Sequence, residues 1–224
     1  MLGLTVPNQM VNPTAKTGVP LRTAVVSLSV LLASAPLGAF AQTDLRNTFP
    51  GRRMGGGTRG ECSARLVANL VPASSVFAPG ASKTIGILEG PTAQPRPLQL
   101  VFKPADDPGA TAIKRDLAAT GPGVTLLTIP SVQRATLWET GYRCDAGQAS
   151  GTDMGLDFVE TASPPAQSLL VLDAKPDDQR VAATLQQLKA SCGKTVPSVS
   201  VVKAFGIEDV MTPEWPQQLP VRCL

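Results

Sequence analysis

Between Leu66 and Thr161 the apolar-rich stretches of this chain are short, and a turn-forming residue ends almost every one of them. The runs are Leu66–Val71, Thr84–Leu88, Leu98–Phe102, Ile113–Leu117, Val124–Ile129, Ala135–Arg143 and Leu156–Thr161. Pro79-Gly80, Gly90-Pro91, Pro108-Gly109, Gly121-Pro122-Gly123 and Gly147 break them apart. Short runs at this spacing predict an all-β sandwich. Leu98-Gln99-Leu100-Val101-Phe102 alternates as a strand with one wet face should. Trp138, Tyr142 and Cys144 share a face at period 2, which places them in the core. Aromatic residues are only 4% of the chain, so Val, Leu, Ile and Ala must fill most of that core.

The pattern changes after Ala162. Ser163-Pro164-Pro165 reads as a hinge, and Ser168–Leu172 as a strand. Pro176-Asp177-Asp178 opens a helix, with acids where the helix dipole favours them. Val181, Leu185, Leu188 and Cys192 form its apolar stripe. Gly193 is placed to end it. Val199–Val202 reads as a further strand and Gly206–Met211 as one helical turn. Pro213, Pro216 and Pro220 predict an extended or irregular tail, docked by Trp215. The expected architecture is mainly β: an Ig-like antiparallel β-sandwich over 62–162, with a small C-terminal α/β appendage over 163–224. Residues 42–61 are expected to form a flexible Gly/Arg-rich arm.

Residues 23–33 make an apolar stretch of signal-peptide length, too short to span a bilayer. Pro36 and Gly38 follow, and Ala39-Phe40-Ala41 supplies a cleavage site. Residues 1–41 are therefore read as a signal peptide, and the protein as periplasmic or secreted. Its removal leaves 183 residues, enough for one ordinary domain. It also takes Lys16 and Arg22 and no acid, so the net charge falls from +3 to +1. That balance argues against nucleic acid as a partner. No later stretch is long enough to span a membrane as a helix. Four cysteines, Cys62, Cys144, Cys192 and Cys223, follow the cleavage site. An even number in an exported chain predicts two disulfides. Three pairings are open; Cys62–Cys144 with Cys192–Cys223 is favoured, because each would staple one segment.

The chain has no histidine. Ser-His-Asp and Cys-His catalysis are excluded, and the usual catalytic zinc sites lose a main ligand. No metal or cofactor is expected. Gly55–Gly60 lacks the Gly-Lys-Ser/Thr and the preceding strand of a phosphate-binding loop. Ser191-Cys192-Gly193-Lys194 matches Ser-x-x-Lys in spacing, but at the end of a helix rather than its start. Paired carboxylates could hydrolyse a glycan. The candidates are Asp106, Asp107, Glu139, Asp153, Asp157, Glu160, Asp177 and Asp178. Arg52, Arg53 and Arg59 are the candidate ligand-binding residues, as an arm that attracts anions. The expected function is a non-catalytic cell-envelope binding or assembly module, with anionic envelope components or another envelope protein as partner. Either the arginine arm or an edge of the sandwich would make the contact. The alternative is a carboxylate-dependent periplasmic hydrolase of envelope glycan.

Phe49-Pro50-Gly51-Arg52-Arg53-Met54-Gly55-Gly56-Gly57-Thr58-Arg59-Gly60-Glu61-Cys62, followed by Leu66–Pro72, resembles the cyanobacterial exported proteins grouped as domain of unknown function 928. Tyr142-Arg143-Cys144 is similar to a strand motif of the same family. The likeness covers roughly 49–160. It implies a secreted β-sandwich and carries over no catalytic residue or cofactor.

Overall fold

The computed structural model describes residues 45–56, 66–107, 109–143 and 164–224. Residues 1–41, Arg59, Cys62, Cys144 and the expected strand Leu156–Thr161 lie outside the described residues, as does the Asp153, Asp157 and Glu160 group.

Eleven strands among the described residues form two sheets. The strands are β1 (Met54–Gly55), β2 (Val67–Asn69), β3 (Val76–Phe77), β4 (Thr84–Glu89), β5 (Leu98–Pro104), β6 (Ile113–Leu117), β7 (Gly123–Thr128), β8 (Thr136–Tyr142), β9 (Ala166–Leu170), β10 (Thr195–Pro197) and β11 (Gln218–Cys223). The first sheet has the order β1-β2-β4-β7-β11-β10, and the second β3-β9-β8-β5-β6. Three helices accompany them: α1 (Leu45–Thr48), α2 (Pro176–Lys189) and α3 (Ser198–Ala204). The mainly-β sandwich expected from the sequence is what forms. It departs from a purely antiparallel arrangement at two places. β3 pairs with β9, and β11 with β7, in parallel.

The register fixes which face of each strand is dry. Val67 lies opposite Glu89, Asn69 opposite Ile87, Ile87 opposite Thr125, and Ile85 opposite Leu127. Because side chains alternate along a strand, these residues share one face. That face looks at the second sheet: Asn69 Nδ2 donates to Ser168 Oγ on β9 at 3.0 Å. Trp138, opposite Ser168, is fully buried and stacks on Phe102 with ring centroids 6.4 Å apart. The outer face of the first sheet is covered by α2, whose Gln186 Nε2 donates to Thr84 Oγ1 at 3.3 Å. β4 is therefore buried along its whole length. That explains why its sequence, Thr-Ile-Gly-Ile-Leu-Glu, does not alternate in polarity.

The segment after Ser163 is not an appendage. β9 pairs with β8 and β3, and β11 inserts between β7 and β10. Val181, Leu185, Val201, Leu219 and Val221 join the same apolar cluster as Ile87 and Leu126. The boundary expected at 162/163 fails because apolar residues on both sides of it need the same core. Pro164-Pro165 lies at the entry to β9 rather than at a hinge between bodies.

Helix α2 starts as expected. Pro176 holds its first position, and Asp178 Oδ2 accepts the Lys175 N–H at 2.7 Å. Val181, Leu185 and Leu188 are buried along one stripe. Gly193 closes the turn that follows, with φ +76°. Val199–Val202 is a correction: it lies in α3, not in a strand. Ser198, Val201, Val202 and Phe205 are buried while Val199 is 61% exposed. That is the period of a helix, visible only when Phe205 is included in the window. The turn expected over Gly206–Met211 forms as a 3-10 turn at Glu208–Val210. The tail is more ordered than its prolines suggest: Trp215 is buried and donates to Val210 O at 2.9 Å, and 218–223 is β11.

The described part of the expected arm is docked rather than free. Arg46 places its guanidinium on Asp178, with Nη2 2.6 Å from Oδ2 and Nη1 3.2 Å from Oδ1. Asp178 is fully buried, and the Ala78 N–H also donates to it at 3.2 Å. Arg53 donates to the carbonyls of Val71, Phe205 and Gly206 at 3.2, 2.7 and 2.7 Å. Its burial pulls the guanidinium below its ordinary pKa, against the opposing charges of Asp209 and Glu208.

Removing one member of a buried ion pair leaves an uncompensated charge, at a cost on the order of 3 kcal/mol. Arg46→Ala is expected to lower the unfolding free energy by about that much. Denaturant titration checks it; an unchanged midpoint would show that the N-terminal segment is not part of the cooperative unit. Cys192 and Cys223 are bridged, as expected, across 31 residues. The Cys62–Cys144 pairing lies outside the described residues. A loop of that size stabilises by about 3–4 kcal/mol in the chain-entropy model. Cys192→Ser with Cys223→Ser is expected to lower stability on that scale. It should also bring β11 amides into exchange earlier than those of β4, as read by hydrogen exchange.

Candidate functional site

The sandwich opens at the end where β7 passes to β8. β7 belongs to the first sheet and β8 to the second, so the chain must cross between them over Ile129–Ala135. Both ends of the crossing are anchored: the Ile129 N–H donates to Lys83 O at 2.8 Å, and the Ala105 N–H to Ala135 O at 2.9 Å. Pro130 removes one donor from the crossing. Between this crossing and the ends of β5, β6 and β9 lies a cleft of about 560 Å³. That is within the range of roughly 300–1,000 Å³ that holds a small molecule.

Its walls are mostly apolar. Phe102, Ile113, Ile129, Val132 and Leu170 contribute to them, and no Asp or Glu lines the cleft among the described residues. Two arginines stand at its mouth, Arg115 on β6 and Arg134 on the crossing. Strand β6 is the edge of its sheet, and Ile113 through Asp116 are exposed. Arg115 lies opposite Leu100, and Ile113 opposite Phe102. These two β6 residues therefore share the face that looks into the sandwich, yet the edge leaves them in solvent. Ile113 is 70% exposed, the most of any large apolar side chain described. Arg134 sits 3.7 Å from Asp106, both largely exposed, a pair of little strength. The Arg115 side chain makes no hydrogen bond or ion pair among the described residues.

A second cluster of charge lies at the opposite end of the same sheets. Glu89 ends β4 and is 3% exposed. The Thr120 hydroxyl donates to its Oε1 at 2.7 Å, and Arg222 Nη1 lies 3.8 Å from that oxygen. Arg222 Nη2 donates to Gly121 O at 3.0 Å, while Nη1 is buried with no acceptor. Gly123 makes this approach possible, since a Cβ there would stand 2.5 Å from Nη1. Burial pushes the Glu89 carboxyl up to about 7, against the Thr120 hydroxyl, the Arg222 charge and Thr125. The cluster is a proton-binding site near neutrality, with its charges turned inward.

The residues singled out from the sequence do not converge on either place. The Arg52 guanidinium donates to Pro165 O at 3.3 Å, its carbonyl accepts the Gln167 N–H, and its side chain is exposed. Arg53 is spent on backbone carbonyls. Of the carboxylates, Asp106 and Asp107 lie on an exposed turn, and Glu139 accepts from Gln167 Nε2 on the outer face of the second sheet. Asp177 pairs with Arg180 on the surface, and Asp178 is held by Arg46. Ser191 and Lys194 sit in the turn after α2, outside the start of any helix. Sequence reading missed Ile113, Arg115, Arg134 and Glu89. Ile113 looked like an ordinary strand residue, because nothing local says that β6 is an edge. Glu89 precedes Gly90-Pro91 and looked like the polar end of a strand.

No protein-family model, no curated protein and no solved structure matches this chain.

The Glu89 carboxyl holds its proton more tightly when folded than unfolded. It therefore favours folding fully below about pH 4.5, and this contribution is lost as pH rises through 7. Glu89→Gln is expected to gain on the wild type over that interval, by a few kcal/mol at most. Thermal or denaturant unfolding at pH 4.5 and pH 8 checks it. An equal difference at the two pH values would mean that Glu89 titrates normally.

Proposed function

We propose that this protein is an exported, non-catalytic binding module of the cell envelope, and that the cleft at the β6 edge is its contact surface. The observation that carries this reading is the cleft itself: an apolar, sheet-walled opening with a large exposed isoleucine at its lip. Open apolar surface at a defined concavity marks a binding place more often than a defect. The signal-peptide pattern of residues 1–41 and the Cys192–Cys223 bridge support export, since such a bridge persists in oxidising compartments. Among the described residues no helix is long and apolar enough to cross a membrane. The likeness of Phe49–Cys62 to an exported family belongs to the same reading.

The glycan-hydrolase alternative needs two carboxyl groups facing each other across a cleft. The described candidates are scattered: Asp106 and Asp107 on a turn, Glu139 on an outer face, and Asp177 and Asp178 in separate ion pairs, so no observation favours it.

Ile113→Asp changes an exposed lip residue and is expected to leave folding intact. In co-sedimentation with the envelope fraction of the producing cell, the wild type should pellet and the variant should lose most of that association. Equal pelleting of the two would reject the cleft as contact surface.

A further inference from the structure

We infer that the cleft takes one monomeric, single-chain amphiphile with an anionic head, of the fatty-carboxylate type. This inference rests on the cleft being the binding surface and adds the chemistry of the occupant. The apolar part follows from the walls. Phe102, Ile129, Val132 and Leu170 offer a tail contact surface but few hydrogen-bond partners. A strongly polar ligand would lose its hydration there without replacement. The sign of the head follows from the mouth. Arg115 and Arg134 both stand on the lining, no carboxylate does, and Arg115 has no partner among the described residues.

Lys114 and Asp116 lie beside Arg115 on β6 but alternate to the other face of the strand. Asp116 is engaged there by Gln99 and Arg143, at 3.0 Å each. Two acids lie on the exposed turn beside the mouth: Asp106, 3.7 Å from Arg134 in an exposed pair that a ligand carboxylate could displace, and Asp107, whose Oδ1 accepts the Gly109 N–H at 3.1 Å. Among the described residues that line the cleft, the charged side chains are both arginines, and Arg115 is the one not shared with a carboxylate. A planar guanidinium is the side chain best shaped to receive a carboxylate in two parallel hydrogen bonds. Arg52 and Arg53, by contrast, already donate to backbone carbonyls of the fold. Arg115, on the lining and without a side-chain partner among the described residues, is placed for a ligand.

Three amphiphiles with the same tail separate the contributions: dodecanoate, dodecyltrimethylammonium and dodecyl maltoside, each kept below its aggregation concentration. Binding to the full-length mature protein is followed by calorimetry or displacement of a fluorescent fatty acid. The wild type is expected to bind dodecanoate at 1:1 and at least tenfold tighter than the cationic amphiphile. Arg115→Glu, an exposed change, should abolish or reverse that preference. Ile113→Asn, which removes the apolar lip without adding charge, should weaken all three.

Equal binding of the three amphiphiles, or a preference that survives Arg115→Glu, overturns the anionic-head assignment and leaves the cleft standing as a contact surface. Binding to phosphatidylglycerol vesicles without binding to monomeric dodecanoate overturns the single-chain assignment. If no amphiphile binds while envelope association persists and still depends on Ile113, the ligand class is wrong but the surface is right. Loss of both removes both readings.

Discussion

The parallel pairing of β11 with β7 is the constraint on which the rest of this molecule depends. Two parallel neighbours cannot be joined by a hairpin; the chain must leave the sheet and return from the far side. Here it leaves after Thr128, builds β8 and β9 in the second sheet, returns through α2 to β10, and passes through α3 to β11. The return lays α2 over the outer face of β4, which makes that strand buried on both sides. It also brings Cys223 to Cys192 and Arg222 to Glu89. The last residues of the chain thus complete the core, the disulfide and the buried charge cluster at once.

The arginines show how the same residue type is divided between fold and function. Arg46, Arg53 and Arg222 each find backbone carbonyls left over at strand or helix ends. Those met by Arg53 and Arg222 are partly buried, where a carbonyl without a donor is costly. Arg46 and Arg53 clasp the segment before β2 to α2 and to the residues after α3. Arg115 lies on an edge strand whose unpaired carbonyls face solvent and need no guanidinium. What distinguishes a structural arginine from an available one is the supply of acceptors around it, which is a property of the topology rather than of the local sequence.

This is why the fold was more legible than the site. The runs at Thr84–Leu88, Leu98–Phe102, Ile113–Leu117 and Val124–Ile129 became strands because alternation and Gly/Pro punctuation act locally. The helix from Pro176 was equally local, with its first-turn acids and apolar stripe. Val199–Val202 was misread because four β-branched or small residues carry no period; Phe205 settles it. The parallel insertion of β11 left no mark, since a Pro-rich tail reads as irregular until its partners are known. The clefts and clusters depend on which strand is an edge and which carbonyls are bare. Neither is written within any ten-residue window, so Arg52 and Arg53 drew attention that belonged to Arg115.

The central claim is that the segments on either side of Ala162 fold as one sandwich closed by β11. Native-state hydrogen exchange of the mature protein under increasing denaturant tests it most directly. The account predicts that amides of β9 and β11 open together with those of β4 and β7, at the free energy of global unfolding. Exchange of β9, α2 and β11 as a separate unit of lower stability, with β4 through β8 still protected, would contradict it.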